Sequence, residues 1–440
     1  MDYLNYEIEL YIKNTQKSKI QYESGNKYLI NGVTSCYQTI DPYPFYIKSA
    51  SNVYLTDIDN NKYIDFHGGF GVALFGYDHS IIKESFANII KTPLIVGFPI
   101  TDAIDVSKKL SKIYGLPMWR YMNSGTEATL DAIRLARAHY NRKYIIKIEG
   151  GYHGHHDGVW VNVAGNNSNL NRTNIESIPF CDGIPNDIFS LTLIIEVNNI
   201  EYLKHITTLY KNEIACIIIE PVLLNCGIIK LEQDFLDELH KICNENKICI
   251  IADLVKLNTQ VLSKHWNCVK PDIIVLGKSI AGGFSIGVLG MSHEYASIVN
   301  NKKVQLCGTI NGNSYVIKMI NNILDFITDD MLLELENKSL NIYNSFNRII
   351  KKYNINAIVE ICGNKGSLFF YKAEYKKPKN YNDYYNYKCD IMEALFVKYM
   401  LNRGILIQVR DEWSISLQHT DDHINKFISE FELFCKMIQK

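Results

Sequence analysis

At 440 residues, 47% hydrophobic and 21% charged, the chain has the composition of a globular protein with room for two or three domains. A formal net charge of -1 supplies no basic field for nucleic acid or anionic lipid, so neither partner is expected. No apolar run approaches the roughly 20 residues that span a bilayer, and the longest, 215–224, is interrupted by Glu220 and Pro221.

Residues 1–7 lack a basic region followed by an apolar stretch, so no signal peptide is expected and a cytoplasmic location is. Residues 1–75 read as a helix followed by short strands, with 52–57 and 62–66 flanking the turn Asp59-Asn60-Asn61 as a β-hairpin. From 76 to 322 helical patterns alternate with apolar runs at 144–148, 192–196, 215–220, 247–252 and 272–276. That alternation predicts a large α/β domain with a mostly parallel central sheet. Residues 323–440 begin with a helical stretch, contain a strand candidate at 367–371 and finish in an amphipathic helix, a smaller α+β domain. No solenoid-length repeat and no Pro/Gly/Ser linker divides the chain, which points to domains built from interleaved segments. The 11 cysteines form no CxxC pair, and Cys216 and Cys249 lie in apolar runs, as reduced core residues would.

Within this frame a few short stretches carry chemistry. Asn123-Ser124-Gly125-Thr126-Glu127-Ala128 precedes a helical pattern, and Ser124 with Glu127 has capping-box spacing. The first turn of such a helix presents free N–H groups to an anion, and Gly125 permits close approach of a phosphate. Glu149-Gly150-Gly151-Tyr152-His153-Gly154-His155-His156-Asp157 gathers glycines, an aromatic ring and three histidines after an apolar run. These histidines have no distant Cys/His pair to complete a zinc site, and neighbouring His155 and His156 cannot easily share one ion. No metal is expected, and Tyr152 is read as lying against a cofactor ring. The run 247–252 ends on Asp253, with Val255 two residues on and therefore on the same side of an extended segment. The run 272–276 ends before Lys278, which precedes the small-residue turn Ser279-Ile280-Ala281-Gly282-Gly283. Two apolar strands thus deliver a lysine and a carboxylate to strand ends, where open α/β sheets bind ligands. A Schiff-base lysine with an aspartate for a pyridinium nitrogen is what pyridoxal phosphate requires. Alone, each piece has a plainer use: Ser124 and Asp253 as caps, Lys278 as a solvated side chain, and Gly308-Thr309-Ile310-Asn311-Gly312-Asn313 as a turn.

The order and spacing of these stretches resemble the class III aminotransferases, of fold type I among pyridoxal phosphate enzymes, most closely the glutamate-1-semialdehyde aminomutase branch. The resemblance runs from about Asn31 to His423, strongest through Asn123 to Ala138 and Lys147 to His155, with Glu220-Pro221-Val222, Asn225, Lys278 and Gly308-Thr309. It implies that Lys278 forms the internal aldimine, Asp253 pairs with the pyridine nitrogen, Val255 and Tyr152 sandwich the ring, and Asn225 lies near the ring hydroxyl. Ser124, Gly125 and Thr126 would hold the phosphate, and Thr309 would reach the phosphate of a neighbouring subunit in a homodimer with shared sites. The polar run 164–169 is expected as a lid.

Departures from the family concern the substrate. The segment Gly32-Val33-Thr34-Ser35-Cys36-Tyr37-Gln38 carries Gln38 where the aminomutases have an arginine facing the substrate carboxylate. Glutamine loses the charge and the bidentate fork. Leu254 replaces a glutamate and Leu257-Asn258-Thr259-Gln260 replaces Thr-Gly-Phe-Arg, while Arg410 is the candidate for a compensating charge. A site with fewer cations suits a sugar, an amino alcohol, an amine or a carrier-bound acyl group. The expected activity is amino transfer from a small-molecule donor to a carbonyl acceptor in two half-reactions. Alternatives are an intramolecular aminomutase, a racemase or decarboxylase on the same scaffold, and a cofactor-binding scaffold without turnover.

Overall fold

The computed structural model describes residues 2–91, 93, 97–165, 174–257, 269–372 and 377–439. They fall into two compact units, one of Met1–Ser80, Leu333–Tyr375 and Lys388–Lys440, the other of Ile81–Leu332 and Lys376–Tyr387.

The second unit is built on a seven-stranded sheet of β1 (Met118–Met122), β2 (Tyr144–Ile148), β3 (Thr192–Ile195), β4 (Ile214–Ile219), β5 (Cys249–Asp253), β6 (Ile273–Gly277) and β7 (Gly287–Met291). Their spatial order is β1-β7-β6-β5-β4-β2-β3, and β7 alone runs against the rest. The central strands are continuous Ile/Val/Cys runs, buried along their whole length, because a parallel sheet is covered on both faces. Side chains alternate within that burial: Cys216, Ile218, Cys249, Ile251, Ile273 and Val275 join one cluster with Ala128, Ala132 and Leu135 of the helix Gly125–Tyr140. Each isoleucine buried in this way contributes about 1.5–3 kcal/mol relative to exposure. Asp253 continues the Cys249-Ile251 register, so its carboxylate leaves the sheet on the face this helix covers.

Apolar runs predicted five of the seven strands, and β1 and β7 escaped them. Met118-Trp119-Arg120-Tyr121-Met122 is an edge strand with no regular alternation of burial. Gly287-Val288-Leu289-Gly290-Met291 reads as the continuation of a glycine turn, but Gly290 is there because the Trp119 ring lies where a Cβ would stand, 2.5 Å from it. The segment Lys376–Tyr387 returns from the C-terminal third to the second unit, where the Tyr381 hydroxyl accepts from the Gly165 N–H at 3.1 Å and its ring packs on Gly150.

In the first unit the strands Tyr54–Asp57 and Lys62–Asp65 form the expected hairpin, Tyr54 opposite Ile64, with Asn60 at φ +71° in the turn. Ile47–Ser51 adds on one side and Ile405–Leu406 on the other, so both chain ends share this sheet. A second sheet joins Ala357–Cys362, Lys365–Phe370 and Glu412–Ser414. The closing helix Asp421–Ile438 buries Ile424, Phe427, Phe431, Phe434 and Cys435 at helical spacing. Among the described residues no helix is long and apolar enough to cross a membrane.

Candidate active site

The C-terminal ends of the parallel strands bring the predicted residues of the second unit together. After β1, Ser124 caps the helix Gly125–Tyr140, its Oγ accepting the Glu127 N–H at 3.2 Å. The reciprocal half of the box is displaced by one residue: Glu127 Oε2 accepts from the Asn123 N–H at 2.7 Å rather than from Ser124. Gly125 lies against Val255, where an added Cβ would sit 3.1 Å from Cγ2, so the helix start and the β5 end are in contact through a position with no side chain. Thr126 Oγ1 is 3.2 Å from His155 Nδ1, and Thr129 Oγ1 donates to the His153 carbonyl at 2.7 Å, tying this turn to the loop after β2. Gly287 of β7 is packed so closely that a Cβ would be driven into the carbonyl of Ser124. Gly287→Ala is therefore expected to displace the 123–126 turn and weaken retention of an anion there by about tenfold or more. Calorimetric titration with pyridoxal phosphate checks it, and unchanged affinity would contradict this placement of the turn.

The loop after β2 supplies Tyr152 and His153. Its course is set by Glu220, at the end of β4, whose Oε1 accepts the Tyr152 N–H at 2.8 Å. His153 Nδ1 stands 2.8 Å from Asp253 Oδ2, both side chains being almost wholly buried, and an ionised carboxylate requires Nδ1 to be the protonated nitrogen. Burial holds the imidazole below its ordinary value, with Asp253 working in the opposite direction. Asp253 Oδ1 accepts the Val255 N–H at 3.0 Å, so the aspartate does cap its turn and is oriented by His153 as well. Each oxygen retains a lone pair for a further donor.

Lys278 follows β6 directly and is partly buried, at φ +51°, a left-handed conformation uncommon for a residue with a side chain. Burial, then the charge of Lys256, lower its amine to about 8, against the opposing pull of Asp253 and Glu220. Glu220 is pushed up to about 7, first by burial and then by Asp253. Lys147, fully buried on β2, is brought down to about 7 by burial, and its Nζ donates to the carbonyls of Ile148 and Asn162 at 3.2 and 3.3 Å. Asn225 is buried, and its Oδ1 accepts from Lys256 Nζ at 2.7 Å.

His153 and Lys256 are members of this cluster that had no role assigned from the sequence, and Glu220 entered only as part of a matching stretch. The His153 signal was diluted by His155 and His156. Glu220 stood at the end of a buried run and within the matching stretch Glu220-Pro221-Val222, with no role of its own, and Lys256 is a charge three residues past a strand. Thr309 is exposed, on the loop whose Asn311 Oδ1 accepts from Asn123 Nδ2 at 2.8 Å. Gln38 and Arg410 belong to the first unit. Gln38 Oε1 accepts from the Thr34 N–H at 3.1 Å and hydroxyl at 2.8 Å. Arg410, at φ +69°, donates its backbone N–H to Glu393 Oε1 at 2.8 Å, and its Nε lies 3.9 Å from Glu412 Oε1. Of the expected lid only Ala164 and Gly165 are described, and Asn258, Thr259 and Gln260 also lie outside the described residues.

The sequence profile of the class III aminotransferases matches residues 37–433. The chain is 32% identical to the glutamate-1-semialdehyde 2,1-aminomutase of Francisella philomiragia subsp. philomiragia over 429 residues, 95% of this chain and 97% of that one. It is likewise 32% identical to the enzyme of that name from Methanosphaera stadtmanae over 437 residues, 96% and 99% of the two chains. Among solved structures, a lysine-to-alanine variant of the glutamate-1-semialdehyde aminomutase of Pseudomonas aeruginosa PAO1, in complex with PMP, superposes with a TM-score of 0.89 at 20% identity over 99% of this chain and 97% of that one. An ω-transaminase from Sphaerobacter thermophilus does so with a TM-score of 0.89 at 22% identity over 95% and 97%. The fold is that of the fold type I pyridoxal-phosphate-dependent transferases. The chain belongs to the class III aminotransferases, a family of pyridoxal-phosphate-dependent enzymes.

Proposed function

We propose that this chain is an aminotransferase that moves an amino group from a small-molecule donor to a carbonyl acceptor, with Lys278 as its catalytic amine. The observation that carries the reading is the delivery of Lys278 and Asp253 by adjacent parallel strands, the aspartate fixed by His153. The residues suit pyridoxal phosphate. Lys278 is an amine with reduced proton affinity, Asp253 a buried carboxylate with lone pairs to spare, and the 124–126 turn an anion dock at the start of a helix. In this assignment Ser124, Gly125 and Thr126 hold the phosphate, Tyr152 and Val255 flank the ring, Asn225 meets the ring hydroxyl and Asp253 the ring nitrogen.

When bound, pyridoxal phosphate supplies a carbonyl that condenses with amines and a protonated ring that draws electrons from the substrate carbon. Lys278 Nζ would act as general base and then general acid, taking the proton from the carbon that bears the amino group and returning it across the nitrogen, on the cofactor's side. Asp253 would keep the ring nitrogen charged, while the His153 N–H holds its carboxylate in place. Thr309, exposed on its loop, is assigned to the partner's phosphate in a homodimer. A cytoplasmic location is supported by the cysteines among the described residues, Cys216, Cys226 and Cys249 included, which are free thiols.

Substrate preference is assigned to Gln38 on the sequence correspondence, with Arg410 as the candidate for a compensating charge. Gln38→Arg is expected to raise kcat/KM for carboxylate-bearing substrates by roughly tenfold over uncharged amines. A steady-state comparison of the two classes checks it, and an unchanged ratio removes Gln38 from substrate choice.

The 32% identity to glutamate-1-semialdehyde aminomutases along nearly the whole chain supports a second reading, an intramolecular aminomutase using the same lysine. Incubation with a panel of amino donors separates the two. Bleaching of the lysine-dependent band by a donor, with release of its keto product, supports transfer. A band unchanged by every donor, with isomerisation of an amino-aldehyde, supports the mutase.

A further inference from the structure

Lys256 has no role in the scheme above, yet it is 9% exposed and anchored, with Nζ 2.7 Å from Asn225 Oδ1. β5 and β6 pair with Asp253 opposite Val275, and Lys256 and Lys278 stand at the same offset beyond that pair. Two lysines therefore leave neighbouring strand ends among the same carboxylates. The charge of Lys256 opposes protonation of Lys278, whereas Asp253 from β5 and Glu220 from the end of β4 favour it. Lys256 also favours the ionised form of Glu220. A lysine desolvated beside another cation becomes a nucleophilic amine at lower pH. The family's usual residues around Asp253 are replaced here by Leu254 and Leu257, so Lys256 is a cation between apolar neighbours that are 1% and 2% exposed.

We propose that Lys256 is a positioning residue acting through Lys278: moored on Asn225, it holds a fixed positive charge that opposes protonation of the Lys278 amine and so enlarges the fraction ready to attack a carbonyl carbon. The inference rests on the assignment of Lys278 made above. Attack forms the N–C bond, the carbonyl oxygen departs as water with the two amine protons, and a C=N bond remains, so no oxidant or reductant is needed. Only an unprotonated amine has the lone pair for the first step.

The test is competitive acetylation of the full-length chain, freed of cofactor, across pH, with Lys278 labelling read by peptide mass spectrometry. The rate at which the visible band returns on adding pyridoxal phosphate is read alongside. Lys256→Met removes the charge and the bond to Asn225. Lys256→Gln keeps an amide donor for Asn225 without charge, and Lys256→Arg keeps the charge. Met and Gln are expected to raise the labelling midpoint of Lys278 by about one pH unit, so that band return at neutral pH slows about tenfold. Arg is expected to stay close to the parent. A Gln variant with the parent's midpoint would overturn the proposal, since charge would then be irrelevant. A parent protein that forms no Lys278-dependent band would overturn the Lys278 assignment together with this one, whereas a normal band with unshifted midpoints overturns only the role of Lys256.

Discussion

Lys278→Ala is expected to abolish the lysine-dependent visible band and to reduce turnover by about 10³-fold or more, while the protein folds and still retains pyridoxal phosphate through the helix start at 124–126. On the assignment proposed above, the loss combines two functions of one nitrogen, attachment of the cofactor and movement of the substrate proton, so it is not a sum of separate contributions. Stability should move the other way. The amine lies at about 8 in the folded chain against an ordinary 10.5, so the folded state holds fewer protons between those values. Stability contributed by Lys278 is present above 10.5 and is lost as pH falls through 8. Alanine removes that loss, and the melting-temperature advantage of the cofactor-free variant should grow as pH is lowered across this window. Absorption spectra, single-turnover rates with an added donor and melting curves at several pH values check the set. Full turnover in the variant would remove Lys278 from the chemistry.

How much of this was legible in the sequence depends on what each residue is doing there. The buried strands of the central sheet announce themselves because both faces are covered and every position is apolar. β1 and β7 do not: Trp119 at the edge and Gly290 beneath it are explained only by each other, across a pairing between residues far apart in the chain. Lys376–Tyr387 is a similar case, since its tyrosines look like ordinary helical residues until Gly150 and Gly165 are seen against Tyr381.

The site shows the same division. Asp253 and Lys278 were readable because a charged residue at the end of an apolar run is conspicuous. The parts played by His153, Glu220 and Lys256 were not, even though Glu220 lay in a matching stretch, because they follow from the order β6-β5-β4-β2, which places the ends of these strands side by side. The Ser124–Glu127 spacing did identify a capped helix, but the Glu127 side chain reaches Asn123 instead, a one-residue difference that spacing does not resolve.

Asp253→Asn is the other substitution with a large expected effect, and it separates shape from charge at the ring end of the site. Asparagine is nearly isosteric, but its two ends differ. If Oδ1 accepts the Val255 N–H, Nδ2 faces His153 Nδ1, which must then surrender its proton and place it on Nε2. That nitrogen is buried and has no hydrogen-bond partner among the described residues. If the amide is reversed, Nδ2 faces the Val255 N–H. Either arrangement leaves one buried donor unsatisfied, which costs about 1–3 kcal/mol of stability. Function should suffer more than folding, since a buried charge pair lost from one side costs about 3–5 kcal/mol, or roughly 10²–10⁴-fold in rate if it operates in the transition state. The expected result is a folded variant that forms the visible band and binds donors but exchanges the substrate proton about 10²–10⁴-fold more slowly. Proton exchange in deuterated water, followed by NMR alongside cofactor affinity, distinguishes this from a binding defect. Wild-type exchange in Asp253→Asn would mean that the carboxylate only caps its turn and orients His153, and that the electron demand of the reaction is met elsewhere.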